Sequence, residues 1–247
     1  MQKVIAFITD SHLGDASPQD KGINCTVQLE AVLADIALQN ATDIIFAGDI
    51  TEPQTYEWFF NRLQTACPDF KAILGNHDSY AEAVKHYKQH SASSTELYYT
   101  YEDAYHKYIY LDSSSSTISA EQLAWLDNEI ETSKIILLFI HHPILKIDTA
   151  MDKIHPLQNR DALRSILHQL YNDVFVFCGH YHMPDYLEIG NVRQYITPST
   201  SFQIKKESDF IDINTNSFGY RIITLDYNNV STHLRISRNG AFTTEAD

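Results

Sequence analysis

Five short apolar segments, each closing on Asp, Asn or His, constrain this chain more than any other feature. Residues 4–9 run into Asp10-Ser11-His12, 43–47 into Gly48-Asp49 and 70–74 into Gly75-Asn76-His77-Asp78. Residues 135–140 run into His141-His142-Pro143, and 174–178 into Gly179-His180-Tyr181-His182. Brief, continuous, β-branched runs bounded by polar clusters read as buried strands. Between them lie stretches with helical spacing, at about 24–40, 53–66, 79–90, 117–130 and 159–172. Such alternation predicts a parallel sheet with right-handed crossovers. Ligands of open α/β sheets bind outside the carboxyl ends of the strands, where all five motifs fall.

The remaining elements follow from local signals. In the first helix Val27, Ala31, Leu33, Ala34 and Leu38 lie on or near one face; Pro53 sits near the first turn of the second. Thr117 or Ser119 caps the 117–130 helix. Residues 97–102 and 107–111 form a hairpin, and 186–189, 192–197, 220–227 and 231–236 read as antiparallel strands. Residues 13–23, 113–116 and 143–158 read as loops. With no repeat, low-complexity tract or linker, residues 1–247 are expected to form one domain, with two packed sheets and helices outside.

Composition narrows the class of function. Hydrophobic residues make up 44% of the 247, enough for a sizeable core. A formal charge of −14 repels nucleic-acid backbones and anionic membranes, so neither is an expected partner. A small anionic substrate then needs a local positive charge, which bound metal supplies. Cys25, Cys67 and Cys178 are scattered and form no CxxC pair, which points to a reducing compartment and against structural zinc. The N-terminal run enters a strand pattern directly, and no segment approaches a membrane span, so the expected location is the cytoplasm. A homodimer is compatible with the sequence.

The motif residues are oxygen and nitrogen donors. Side chains two apart on an extended strand point to the same side, so Asp10 with His12, and His180 with His182, are expected to aim ligand pairs into one space. Gly48, Gly75 and Gly179 each precede a candidate ligand, where a missing Cβ permits close backbone approach. A set of Asp, His, Asp, Asn, His, His and His without thiolate suits manganese, iron, zinc or cobalt. Two divalent ions set against Asp10, Asp49 and a hydroxide leave one net positive charge to hold a phosphate. Paired metals generate hydroxide at neutral pH and clamp both oxygens of an in-line displacement. His77, beside Asn76, is the candidate to protonate or polarise the leaving oxygen. His142 reads as a supporting residue, Asp78 as a first-turn helix acid, and Cys178 as a buried small hydrophobe. His86, His90, His106, His168 and His233 read as ordinary core or surface histidines.

Together, Asp10-x-His12, Gly48-Asp49, Gly75-Asn76-His77-Asp78, His141-x-Pro143 and Gly179-His180-x-His182 resemble the full signature of the calcineurin-like metallophosphoesterases, over residues 4 to about 200. The resemblance implies a four-layer α/β/β/α sandwich with a dinuclear site at the strand ends. It implies one metal held by Asp10, His12, Asp49 and His182, and a second held by Asp49, Asn76, His141 and His180. His141 is preferred to His142 because the family's ligand stands two residues before the proline. His12, Asp49, Asn76, His77 and His182 are further implied to line the substrate phosphate, and His77 to assist the leaving group.

Within that superfamily the chain is most similar to class III 3′,5′-cyclic-nucleotide phosphodiesterases. The stretch from Met151 to Asn159 resembles a loop of that group. Thr197-Pro198-Ser199-Thr200-Ser201-Phe202-Gln203, with Gly219-Tyr220-Arg221, resembles its C-terminal strands. Two departures stand out: an additional residue between Asp152 and His155, and Ile144 where a second proline is usual. The expected reaction is hydrolysis of 3′,5′-cyclic AMP to 5′-AMP by metal-bridged hydroxide. His155 and Asn159 are candidates for the substrate side of their loop, the alternative being a surface loop without substrate contact. Rival readings are a phosphodiesterase or phosphomonoesterase acting on glycerophosphodiesters, nucleotides or phosphoproteins, and a non-catalytic metal-binding scaffold.

Overall fold

A computed structural model describes residues 2–246. The strands β1 (Lys3–Ile8), β2 (Asp43–Ala47) and β3 (Lys71–Ile73) run parallel at one side of a six-stranded sheet. The antiparallel strands β12 (Ser217–Asp226), β13 (Asn229–Arg238) and β14 (Ala241–Glu245) complete it, in the order β14-β13-β12-β1-β2-β3. The second sheet has the order β4-β5-β6-β7-β9-β8. It contains β4 (Tyr99–Glu102), β5 (His106–Tyr110), β6 (Ile135–Phe139), β7 (Val174–Cys178), β8 (Asp185–Ile189) and β9 (Val192–Ile196). A separate ribbon pairs β10 (Gln203–Ile204) with β11 (Ile213–Asn214).

The two large sheets pack face to face. Phe7 of β1 sits 5.8 Å from Phe139 of β6 and 6.0 Å from Phe177 of β7, ring centroid to ring centroid. Tyr110 and Phe139 extend this stack at 4.9 Å. Strands covered on both faces have no reason to alternate, which is why β1, β2, β6 and β7 read as continuous apolar runs. On the outer face of the first sheet lie α2 (Cys25–Leu38) and α3 (Tyr56–Ala66), with Phe59 of α3 4.6 Å from Phe46 of β2. The second sheet is flanked by α5 (Ala120–Glu129) and α7 (Arg160–Leu167). The architecture is thus the expected α/β/β/α sandwich.

Several local expectations change. Helix α2 buries Cys25, Leu29, Val32, Leu33 and Ile36, whereas Val27 and Leu38 are 61% and 77% exposed. The true stripe includes Asp35, which pairs with Arg235 and accepts from Tyr220, so counting apolar residues alone rotated the predicted face. The 53–66 helix is a 3-10 turn at Pro53–Thr55 followed by α3. The loop at 13–23 contains α1 (Ala16–Asp20), capped by Asp15 accepting from the Ser17 N–H. The loop at 143–158 contains α6 (Ala150–Ile154), capped by Thr149 accepting from the Asp152 N–H. Residues 79–90 give only α4 (Tyr80–His86). Strand β9 is antiparallel to β8 but parallel to β7, because the β8–β9 hairpin folds back and inserts its second strand beside β7.

Candidate metal centre

The parallel strands of both sheets deliver their C-terminal ends to one edge, and the five motifs follow directly. Asp10 and His12 lie beyond the end of β1, and His180 and His182 beyond β7, so their convergence does not come from strand pleating as expected. Instead Asp10 (φ 56°), His12 (45°), Asp49 (64°), His180 (67°) and His182 (50°) adopt left-handed backbone conformations. Asp and His enter that region more readily than most residues, at a cost of order 1–3 kcal/mol each that the surroundings must offset. The offset here is a set of inter-loop hydrogen bonds: Asp10 N–H to Gly48 O (2.9 Å), His12 N–H to Asp49 O (3.0 Å) and Gly179 N–H to His141 O (3.0 Å). The close approach foreseen at the glycines is present. A Cβ on Gly75 would overlap the Asp49 carboxylate, and one on Gly179 would overlap Thr9 and Asp10.

Six buried side chains converge in two groups, Asp10–His12–His182 and Asp49–His141–His180. Within the first, His182 Nε2 lies 3.2 Å from Asp10 Oδ1 and 3.1 Å from His12 Nε2. Within the second, His141 Nε2 lies 3.3 Å from Asp49 Oδ2. The groups share one space: Asp49 Oδ2 is also 3.7 Å from His12 Nε2, and Asp10 Oδ1 is 3.9 Å from His141 Nε2. Asn76 and His77 complete the surround. The backbone N–H of His77 donates to Asp49 Oδ1 (2.9 Å), and its ring, 5.3 Å from that of His12, is exposed at the mouth.

Outer hydrogen bonds set the direction of the lone pair on three of these imidazoles. His141 Nδ1 donates to Ala47 O (2.7 Å) and His182 Nδ1 to Phe202 O (3.0 Å), which leaves both Nε2 atoms as acceptors facing inward. His180 is reversed: Nε2 donates to His155 O (2.9 Å), so Nδ1 is its free acceptor. Asp10 Oδ1, Asn76 Oδ1 and His141 Nε2 are buried without any hydrogen-bond partner. Buried acceptors left unpaired are costly, and several aimed at one point fit a cation. Two nitrogens each ~2.1 Å from one ion at right angles lie about 3 Å apart, close to the His12–His182 separation. The residues therefore fit a pair of divalent metals.

The electrostatics agree. Burial alone would raise the Asp10 carboxyl, but the charge of His182, its hydrogen bond and His141 outweigh that and hold it at about 2. Burial likewise opposes ionisation of Asp49, yet His141 and His12 bring it well below the ordinary carboxylate value. Burial disfavours charge on His141, but Asp49 and Asp10 outweigh it and lift its pKa to about 9, the mark of a site built to hold positive charge. Burial and the neighbouring His141 push His180 down to about 3, keeping it neutral.

Several contributors escaped sequence reasoning. Asp78 is no mere helix acid: α4 starts after it, with Ser79 between them. Its carboxylate accepts the N–H groups of Asp49 (2.7 Å), Ile50 (2.8 Å), Thr51 (3.1 Å) and Gly75 (2.9 Å), plus the Tyr56 hydroxyl (3.1 Å). The Thr197–Gln203 stretch is a clamp on the first motif. Ser199 and Ser201 both donate to Asp10 O (2.9 Å each), and the Thr200 N–H donates to Thr9 O (3.0 Å). His142 supports its neighbours: its ring lies 4.1 Å from that of His180 and its Nδ1 is 2.9 Å from Ser113 Oγ. Asn159, a candidate for substrate contact, instead latches α5's approach through Ile118, accepting its N–H (2.9 Å) and donating to its carbonyl (2.7 Å). His155 does line the cleft. Tyr220 and Arg221 lie away from it, Tyr220 donating to Asp35 and Arg221 to Thr197 and Ile196 O.

The centre forms the floor of a cleft of about 530 Å³, within the range of small-molecule sites. Among the described residues no helix is long and apolar enough to cross a membrane.

Comparison with known proteins agrees with this geometry. Residues 3–184 match the calcineurin-like phosphoesterase family. The chain is 25% identical over 241 residues to a probable cyclic nucleotide phosphodiesterase of Fibrobacter succinogenes, covering 94% of this chain and 93% of that one. It is 28% identical over 237 residues to a 3′,5′-cyclic-nucleotide phosphodiesterase of Nostoc, covering 90% and 87%. Among solved structures, a dimetal phosphatase from Danio rerio superposes with a TM-score of 0.60 at 14% identity, covering 93% of this chain and 98% of that one. The chain belongs to the calcineurin-like phosphoesterase family, whose members depend on a dinuclear metal centre. It is a metal-dependent phosphoric ester hydrolase.

Proposed function

We propose that this enzyme, acting as one domain over residues 1–247, hydrolyses 3′,5′-cyclic AMP to 5′-AMP in the cytoplasm. Asp10, His12, Asp49 and His182 would hold one ion, and Asp49, Asn76, His141 and His180 the other, with Asp49 shared. Manganese or iron suits this donor set best, and zinc or cobalt is compatible with it. When bound, the pair activates water and offsets the negative charge of the phosphoryl group. The chain's own contribution is positioning. His141 and His182 are held with Nε2 inward by Ala47 O and Phe202 O, and Asn76 presents an unpaired Oδ1. His12, Asp49, Asn76, His77 and His182 line the phosphate, and His77, exposed beside it, gives its proton to the departing 3′ oxygen. The observation that carries the reading is the convergence of six buried donors, with unpaired acceptors among them, on a cleft large enough for a nucleoside monophosphate. The cytoplasmic assignment rests on three free, buried cysteines.

The test is turnover by metal-stripped protein reloaded with manganese, with products resolved by chromatography. Metal-dependent formation of 5′-AMP is expected. Replacing His77 with Ala is expected to lower kcat by about 10²–10⁴ while metal content stays near normal. Hydrolysis of a simple diester without hydrolysis of the cyclic nucleotide would discard the substrate and keep the site. Full activity in the variant would remove His77 from the leaving-group role.

A further inference from the structure

The ribbon β10–β11 belongs to neither large sheet, yet one face of it forms a wall of the cleft. Phe202, Ile204, Ile211 and Ile213 line the cavity. Ile204 stands opposite Ile213 in the ribbon register, so these two share a face, and Phe202 and Ile211, just outside the paired residues, line the same cavity. The ribbon is tied to the metal centre at its base. The Ile204 N–H donates to His182 O (2.8 Å), and the Phe202 ring lies 4.4 Å from the His182 ring. Met151, from α6, lines the same cavity beside His155. The lip is of another character, formed by Asp15, Ser17, Thr51 and Glu52.

We infer that this apolar face is a subsite for the base of a nucleoside cyclic monophosphate, and that it selects an amino-bearing base over aliphatic or polyanionic groups. The inference rests on the proposed cyclic-nucleotide reading. A flat base has apolar faces and polar edges, matching an apolar wall beside an acceptor-rich lip. Its exocyclic amine and the ribose hydroxyl are donors that the lip carboxylates can accept. An acyl chain would cover the wall but desolvate those carboxylates without offering a donor. A second phosphate would meet two negative charges.

The experiment compares manganese-loaded wild-type enzyme with an Ile211→Ser/Ile213→Ser variant and, on another element, Met151→Ala. The latter keeps the test intact if the ribbon variant fails to fold. Two ratios are read. One is kcat/KM for cyclic AMP over kcat/KM for sn-glycero-3-phosphoethanolamine; the other is affinity for 5′-AMP over affinity for inorganic phosphate, by calorimetry. Both are expected to fall about tenfold in each folded variant, the size of a lost base-packing contact. Unchanged ratios in variants of an enzyme that prefers the nucleotide would overturn the subsite alone. A wild-type enzyme that hydrolyses the aliphatic diester and takes no cyclic nucleotide would overturn the subsite together with the proposed substrate.

Discussion

Asp78 shows how much of the centre depends on a residue that binds no substrate and, in our assignment, no metal. Its Oδ1 accepts from Ile50, Thr51 and Tyr56, and its Oδ2 from Asp49 and Gly75. In Asp78→Asn, whichever oxygen becomes an amide faces at least two donors with donors of its own. That variant is expected to lose about 2–4 kcal/mol of stability by chemical denaturation. Metal affinity is expected to drop about 10–100-fold by competition with a chelator. An unchanged metal affinity would show that Asp49 holds its position without this anchor. The metal-ligand candidates themselves were legible, because acid and imidazole residues at strand ends have few structural uses. Asp78 was not, since an acid before a helix already has an ordinary explanation. Neither was the left-handed backbone at Asp10, His12, His180 and His182, which no residue type announces by itself.

The strands were the most legible elements and the loops between them the least. Residues 43–47 and 174–178 match β2 and β7, since burial on both faces leaves an unbroken apolar run. Thr149-x-x-Asp152 carried a capping signal that a long-loop reading of 143–158 passed over, whereas the ribbon, with two paired residues on each strand, is too short to show a period. The face of α2 was misjudged because its partner is polar. Asp35 accepts from Arg235 Nη2 (2.7 Å) and Nε (2.9 Å) and from the Tyr220 hydroxyl (2.7 Å), fastening α2 to β12 and β13. Burial opposes ionisation of Asp35, but Arg235 and Tyr220 more than reverse this and lower its pKa. A carboxyl depressed in the folded state stabilises above its unfolded value of about 3.9 and loses that contribution as pH falls through the folded value. Asp35→Asn is therefore expected to cost about 3 kcal/mol near neutral pH, with the gap to wild type narrowing below pH about 4 in denaturant titrations. A gap independent of pH would remove the ion pair from the account.

The candidate centre draws on both sheets: Asp10, Asp49 and Asn76 follow strands of the first, and His141, His180 and His182 follow strands of the second. Phe7, Phe139 and Phe177 join the sheets beneath it. Metal bound across that seam binds the folded chain alone, so it must stabilise the folded state by mass action. At manganese a hundredfold above Kd the gain is about 2.7 kcal/mol, or a rise in Tm of roughly 5–10 °C for a chain of this length. Equal Tm with and without chelator would mean that the donors do not act together. Sequence reasoning reached the layered architecture because periodicity reports burial. It could not reach the pairing of β9 with β7, which depends on how a hairpin folds back. The most direct measurement is an anomalous difference map from crystals grown with manganese. Two peaks are expected about 3.5–4 Å apart, flanking Asp49, one beside Asp10 and His182 and the other beside His141 and His180. A single peak, or peaks away from Asp49, would contradict this assignment.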